Sequence, residues 1–581
     1  VLNYLHTRQP PIIFRDLKPA NIMITEDEHI YLIDFGIARL FKTGQAKDTV
    51  ALGTPGYAAP EQFGRAQSTA LTDIYGFGAT LHHLLSGRDP SNEPFQFPPL
   101  ALDQYVAGPD LAALIQRMVA LQKDQRPASI QEIKQILQKL PSGNTSPLQS
   151  SQPNAPSPSP SKSVTVALSG ADYSSLSAAI KNVPEKTRIL VRPGTYTESI
   201  ILDKNIEIVG DGPREQIVLL SRNAHCIRIA TDSAAVSGMT IRGLAQHSFA
   251  IDIPCGRFHL SDCIVTCEAQ TCIGIHNSTA QPLIQHCIIR DGGQSGIVVY
   301  DQGAGVIENC EIFAHKLAGV EVKTGGKPHI RQCKIHNVQR GGIYVYEQGE
   351  GTFEECEIFA HKLAGIEVKT GGKPLIRRCK IHDGEASGIL VHEQGEGTFE
   401  DCDLFAHKLA GIEVKTGGKP LIYLCKIHDG EAGGILVHEQ GEGAFEDCEI
   451  FANQFVGVEV EIGGKPLIRR CKIHDGQNGG IYVHDQGKGT IEDCDIFANK
   501  LAGVLVKTGG NPLIRRCKIH DRQQVGIYIY EQGKGRFESC ETFANETYGL
   551  SVGKDADAVV WRGCRFRDGE KLAWRWKVTR R

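Results

Sequence analysis

The 581-residue chain has almost no net charge, with 63 basic against 67 acidic residues. That balance removes the electrostatic argument for nucleic acid or a membrane surface as a partner. No apolar run approaches the length of a bilayer-spanning helix. The residues from Val1 onward carry no signal-peptide pattern. CxxC pairs are lacking, and with them the usual spacing of a structural zinc site. Yet there are 18 cysteines. Twelve of them (Cys287, Cys310, Cys333, Cys356, Cys379, Cys402, Cys425, Cys448, Cys471, Cys494, Cys517 and Cys540) fall 23 residues apart without a break. A period that regular belongs to a tandem repeat, not to a set of disulfide bridges.

Three regions separate on composition. Residues 1–140 are ordinary globular sequence, with helical periodicity in DLAALIQRMVALQ and SIQEIKQILQKL. Residues 141–163 form a Pro/Ser-rich linker with little to bury, expected to stay extended and mobile. From 164 to 581 the chain turns to short apolar runs and repeats. One coil reads GGKPLIRRCKIHDGEASGILVHE (Gly371 to Glu393) and the next QGEGTFEDCDLFAHKLAGIEVKT (Gln394 to Thr416), so the pair recurs every 46 residues. Ile376, Cys379 and Ile381 alternate with charged residues, as do Ile389 and Val391, which marks short strands with one buried face. Two glycine columns share the period, Gly319, Gly342, Gly365 and onward, and Gly326, Gly349, Gly372 and onward. They are read as corners that need left-handed backbone values.

A fixed period of this length predicts a parallel β-helix with 23-residue coils about 4.8 Å apart, so that twelve regular rungs span roughly 60 Å. The cysteines become a buried, reduced ladder. The doubled period follows from charge. Arg377 and Arg378 precede Glu400 and Asp401 by one coil, and Glu446 and Asp447 precede Arg469 and Arg470. Alternating rungs attract where like charges would repel. Tyr423 and Leu424 interrupt the basic column. DYSSLSAAIKNV (Asp172 to Val183) reads as an amphipathic helix capping the N-terminal end. The segment 164–212 resembles the opening of pectin methylesterases and other pectin-lyase-like β-helix proteins. A C-terminal cap is expected over about 555–581, with Trp574 and Trp576 laid on the last coil.

Residues 1–140 carry five linked motifs: FRDLKPAN, DFG, GTPGYAAPE, DIYGFGATLHHLLSGRDP and DQRPAS. In that order and spacing they resemble the C-lobe of bacterial-type serine/threonine protein kinases. The fold class expected is therefore multidomain, a mostly α kinase C-lobe followed by an all-β right-handed parallel β-helix. The resemblance implies ATP and Mg2+ as cofactors and a Ser or Thr of a protein as acceptor. It implies Asp16 as the catalytic acceptor of the hydroxyl proton and Lys18 as the cation facing the transferred phosphate. Asn21 and Asp34 become the magnesium positions. Thr54 would orient Asp16, Glu61 and Arg126 would form a buried ion pair, and Asp73 would tie the catalytic loop to the core. Phe14 stands where the family usually has His, and would pack beneath Phe35 of the motif that Gly36 completes. Arg15 would pair with a phosphate on the activation segment, with Thr43 and Thr49 as candidate acceptors. The glycine-rich loop, the β3 lysine and the αC glutamate do not precede these motifs. The expectation is a chain truncated upstream, with the 581 residues inactive without an N-lobe.

Three functions follow from these readings. The first is a serine/threonine kinase with the β-helix as a ligand- or partner-binding module. The second is a non-catalytic β-helix scaffold with a remnant kinase lobe. The third is a polysaccharide-active β-helix. The last is weakest, because the outward column Glu321, Tyr344, Glu367, Leu390, Glu413, Leu436, Glu459, Tyr482, Leu505, Tyr528 offers carboxylates only every second rung, about 9.6 Å apart. The repeats read as a non-catalytic rod without a singular polar cluster. Its exposed Tyr344, Tyr346, Tyr482, Tyr528 and Tyr530 suit a glycan or protein ligand. His382, His428, His474 and His520 read as a surface ladder. ATP use and reduced cysteines suggest the cytoplasm.

Overall fold

The computed structural model describes residues 2–8, 11–24, 30–32, 39–40, 54, 56–63, 68–86, 88–90, 95–100, 108–139, 163–521, 524–557 and 559–572. The chain divides into two compact units, Val1–Ser157 and Pro158–Arg581. The linker stretch 141–162 and residues Asp34, Phe35, Gly36, Thr43, Thr49, Trp574 and Trp576 lie outside the described residues.

The first unit is mainly helical: α1 Leu2–His6, α2 Ala70–Ser86, α3 Gly108–Met118 and α4 Ile130–Lys139. Two small antiparallel pairs, Ile12–Ile13 with Arg39–Leu40 and Ile22–Ile24 with Ile30–Leu32, flank the FRDLKPAN loop. Ile74 of α2 packs with Leu114 and Met118 of α3 and Ile133 of α4. Gly78 lets α3 come close, since a Cβ there would stand 2.6 Å from the Met118 Cβ. Phe14 is fully buried with Leu5 and Leu17. It serves the core, as an apolar group in place of the usual His should.

The second unit is a parallel β-solenoid. Each regular coil has three short strands, for example Leu375–Arg377, Lys380–His382 and Ile389–Val391. Each strand pairs in parallel with its equivalent 23 residues on. Among the described residues three sheets result, of 18, 17 and 17 strands. One apolar core runs without interruption from Val164 to Ala556. Helix α5, Leu176–Asn182, closes the N-terminal end by burying Leu176, Ala179 and Ile180. It is shorter than 172–183, because Ser175 is spent as the N-cap and Tyr173 bridges to Val166. Glu198 accepts the N–H groups of Leu176 and Ser177, the donors a helix start leaves unmet.

The glycine columns correct the corner reading. Gly365 and Gly372 do not adopt positive φ; they are glycine because space is absent. A Cβ at Gly365 would lie 2.8 Å from the Gly388 carbonyl oxygen, and one at Gly372 2.6 Å from that of Val345. The left-handed corner ahead of each cysteine is instead carried by non-glycine residues such as Glu355, Arg378 and Asp401, at φ 50–54°. Cys379 then donates to the carbonyls of Arg377 and Phe353 at 3.4 and 3.6 Å, and the ladder repeats this bond at every rung. The thiol thus satisfies a corner carbonyl as well as filling the core. All 18 cysteines are free, and all but Cys255 and Cys564 are buried.

The charge column pairs as the alternation demands. Arg377 reaches Glu354 at 3.1 Å, Arg470 reaches Asp447 at 2.7 Å and Arg516 reaches Asp493 at 2.7 Å. Each bond is to the acidic rung before it. At the interruption, Tyr423 lies beside Glu400 in register, so an uncharged phenol stands where the arginine would be.

Two further columns order the solenoid. On the outer side of the second sheet, eleven rings alternate Phe and His from Phe313 to Phe543, stacked at 4.5–5.4 Å. The histidines of this stack are held by carboxylates, His428 by Asp403 at 2.9 Å and Asp429 at 2.7 Å. Inside, His315, His361, His407, Asn453, Asn499 and Asn545 form a buried column at 46-residue spacing. His315 Nδ1 accepts the Gly292 N–H at 3.0 Å while Nε2 donates to the Ile289 carbonyl at 3.1 Å. Asn453 does the same with its amide, accepting from Gly430 and donating to Ile427.

Candidate active site

The FRDLKPAN loop is fixed from three sides. Asp73, at the start of α2 and almost wholly buried, accepts the Phe14 and Arg15 N–H groups at 2.9 and 2.7 Å. His6 of α1 bonds the same carboxylate at 2.7 Å. Gln62 donates to the Arg15 carbonyl at 2.8 Å, and Thr80 to that of Leu17 at 3.1 Å. Arg15 sits at φ 72°, an unfavourable value for a side-chain-bearing residue, and is held there through both its N–H and its C=O. The next residue, Asp16, is only partly buried.

Around Asp16 the residues singled out from sequence converge. The Thr54 hydroxyl donates to Asp16 Oδ1 at 2.6 Å. Lys18 Nζ lies 3.1 Å from Asp16 Oδ2 and 3.0 Å from Thr54 Oγ1. Asn21 Nδ2 donates to Asp16 Oδ2 at 2.9 Å and to its backbone carbonyl at 2.8 Å. Burial opposes the charge on Asp16, but Thr54, Lys18 and Asn21 outweigh it and hold the carboxyl below its ordinary value. The result is an ionised, half-buried acceptor flanked by one cation and one amide.

The brace beneath this loop is also in place. Arg126 makes a two-pronged ion pair with Glu61, at 2.8 and 3.1 Å, with both side chains buried. Its remaining donors reach the Ala120, Leu71 and Leu121 carbonyls, and its guanidinium lies 4.9 Å from the centre of the Tyr75 ring. Thr72 donates a further bond to Glu61. Sequence reasoning missed His6, Gln62 and Thr80. Their bonds go to backbone atoms or to a residue 67 positions away, and neither leaves a motif.

On the solenoid, the column from Glu321 to Tyr528 lies in register on the outer side of the third sheet. Its aromatic residues stack in pairs along the strand, Tyr344 on Tyr346 and Tyr528 on Tyr530. A groove of about 420 Å³ opens there, lined by Phe455, Asn478, Tyr482, Leu505, Gln524 and Tyr528. The column's carboxylates are committed elsewhere. Although burial works against it, bonds from His438, Ser387 and Lys415 hold Glu413 down at about 2. Such a group has no proton to give a leaving sugar near neutral pH.

Comparison with known proteins agrees with both halves. Residues 225–333, 318–466 and 457–573 match the right-handed β-helix region family. Residues 1–141 match the protein kinase domain. Similar relatives include lectin-domain containing receptor kinase VI.3 of Arabidopsis thaliana, 42% identical over 93 residues, which cover 16% of this chain and 14% of that protein. Probable serine/threonine-protein kinase PBL6 of the same plant is 44% identical over 90 residues, 15% of this chain and 21% of its own. EPD1-interacting receptor-like cytoplasmic serine/threonine-protein kinase 5D of Gossypium barbadense is 42% identical over 98 residues, 16% of this chain and 21% of its own. The chain thus spans about a fifth or less of these relatives. Among the described residues no helix is long and apolar enough to cross a membrane.

Proposed function

Because the chain belongs to the right-handed β-helix family and carries a protein kinase domain over residues 1–141, we propose that it is a serine/threonine protein kinase whose β-helix binds a ligand or partner. The observation that carries this reading is the convergence of Thr54, Lys18 and Asn21 on an ionised Asp16. Asp16 is the acceptor for the proton of an incoming Ser or Thr hydroxyl. Lys18, held between Asp16 and Thr54, puts its ammonium beside that oxygen, where negative charge builds during phosphoryl transfer. Asn21 has its amide nitrogen engaged with Asp16, so its carbonyl oxygen is the atom left to face a hard cation. Asn21 and Asp34 would hold Mg2+, which neutralises the phosphate charge of ATP. The tyrosine-bearing third face suits an extended glycan or protein.

The test is phosphotransfer from ATP to a Ser/Thr peptide, by the 581-residue chain and by the chain extended upstream through its reading frame. Asp16→Asn should abolish the activity without unfolding the protein, because Asn keeps an acceptor for Thr54. Activity unchanged by Asp16→Asn, or none from either form, would overturn the kinase reading.

A further inference from the structure

The repeats do contain one singular place. At the second outward position of the third sheet's strands, every other coil carries Lys323, Lys369, Lys415 and Lys507, but between the last two stands Glu461. In the ordinary coil that lysine neutralises the glutamate two residues before it, Lys415 to Glu413 at 3.0 Å and Lys323 to Glu321 at 3.3 Å. In the exceptional coil Glu459 and Glu461 stand together without that cation. Facing them from the next coil is His484, its side chain only 10% exposed. Its Nε2 lies 2.9 Å from Glu459 Oε1 and 3.5 Å from Glu461 Oε2, and one ligand atom from each residue falls within 4.8 Å of the others.

Two more substitutions accompany the change. Elsewhere a threonine follows the lysine, and Thr416 Oγ1 donates to Glu439 at 3.0 Å, leaving Glu439 3.9 Å from His438 Nδ1. Here the threonine is Ile462, and the glutamate is the shorter Asp485. With no hydroxyl to bind, Asp485 instead accepts a hydrogen bond from His484 Nδ1 at 2.9 Å. Both ring nitrogens thus donate to carboxylates, Nδ1 to Asp485 and Nε2 to Glu459; a metal at Nε2 would displace the proton there, while Asp485 keeps the Nδ1 proton and the ring orientation, as the outer partners of metal-bound imidazoles do.

We propose that Glu459, Glu461 and His484 form a binding site for a divalent transition cation of the zinc type, oriented by Asp485. Tetrahedral ligands about 2.0–2.2 Å from zinc stand roughly 3.4 Å apart, close to the His484–Glu461 separation. The His484–Glu459 hydrogen bond lengthens slightly when the metal replaces its proton. One nitrogen and two carboxylate oxygens leave coordination positions for water or for a donor on a ligand. Tyr482, in register with Glu459 and stacked on His484 at 4.1 Å, also lines the third-face groove, so the cation stands at the edge of that groove.

The experiment is zinc binding to the full chain by equilibrium dialysis, with cobalt substitution as a spectroscopic check. Glu461→Lys restores the residue found in the neighbouring coils, so the fold is kept; tight zinc stoichiometry should fall by one. Asp485→Ala should weaken that site about 10-fold or more. The triple substitution Lys415→Glu, Thr416→Ile and Glu439→Asp should raise the stoichiometry by one, since Glu413 and His438 already stand in place and the Thr416 hydroxyl that holds Glu439 is removed. The cobalt form should lack a thiolate charge-transfer band, which separates this site from the cysteine ladder. Equal zinc content in the parent and Glu461→Lys would show that His484 is only an ion-paired histidine and would overturn the proposal. A failure of the triple substitution to add a site would overturn the ligand set.

Discussion

The buried column at 46-residue spacing makes the solenoid acid-sensitive in one half only. Burial pushes the imidazoles of His315 and His407 down to about 4 and that of His361 to about 3, with the neighbouring rings of His336 and His382 adding to the effect at His361. The geometry requires the neutral ring: His315 Nδ1 accepts the Gly292 N–H, and a proton there would break that bond. Unfolded, each ring titrates at its ordinary 6.5. Folded values below the unfolded ones mean that the unfolded chain binds more protons between the two. Stability is therefore full above about pH 6.5 and falls as the pH drops toward 4. At pH 5 each ring removes about 2 kcal/mol relative to pH 7.5, and the three together about 6 kcal/mol.

The triple substitution His315→Asn, His361→Asn and His407→Asn tests this with residues the protein already uses at Asn453, Asn499 and Asn545. Asn keeps the donor and the acceptor but does not titrate. It is smaller by roughly 40 Å³, so each change lowers stability by about 1 kcal/mol at neutral pH. The two stability curves should cross near pH 6, with the variant the more stable at pH 5. Denaturant midpoints measured from pH 7.5 to 5 check the crossing, and groups common to both proteins cancel in the difference. Hydrogen exchange adds an internal control, since solenoid coils are coupled mainly to their neighbours. Protection should fall with acid in the coils around 289–407 and hold around 427–545. Equal acid sensitivity of the parent and the variant, or uniform loss along the solenoid, would refute the reasoning.

Thiol titration without reductant should find Cys255 reactive in the native protein, Cys564 slower because its contact with Cys540 and its burial push the thiol up, and the 16 buried thiols exposed only after denaturation. Burial pushes Cys226 and Cys263 up to about 12, so even a small reagent meets neutral thiols there; native disulfides along the ladder would contradict this. Arg126→Met should destabilise the kinase unit by about 3–5 kcal/mol, because it leaves Glu61 buried without its cation. Glu61→Gln with Arg126→Met should recover part of that loss; a melting temperature unchanged by the single substitution would show the pair to be dispensable.

Periodicity made the solenoid legible. Strand positions, the cysteine ladder and the alternating charge column all follow from residues that recur at 23 or 46, and a fold built of near-identical neighbours leaves little else to decide. The kinase loop was legible for a different reason: Asp16, Lys18, Asn21 and Thr54 sit in FRDLKPAN and GTPGYAAPE, motifs whose resemblance to protein kinases implied their roles. What stayed hidden depends on contacts without a period. His6 and Gln62 act on backbone or on Asp73 across the fold, and no local pattern announces them. The glycine columns were legible as glycine but not in cause, since sequence cannot tell a left-handed corner from a close approach. The three-strand coil was hidden too, because the first corner spans only Arg378 and Cys379 and its two strands read as one run.

Departures from a repeat carry more information than the repeat itself. Lys415 and its equivalents show that the fold accepts lysine beside the Glu459 column, so nothing in the backbone forces glutamate at 461. The same comparison separates structural exceptions from chemical ones. Tyr423 and Leu424 stand in place of two arginines beside the acidic rung of Glu400, and as uncharged residues they bring no like charge to the column. Glu461 reverses a charge beside an existing carboxylate and removes the cation that balanced it. Ile462 then exposes a branched apolar side chain at φ 44°, where the other coils place threonine at 43–48°. A repeat drifting freely would favour changes that preserve charge balance and solubility. These two oppose both, and with Asp485 they converge on one imidazole. A bound cation restores the missing positive charge at the spot from which the lysine was removed.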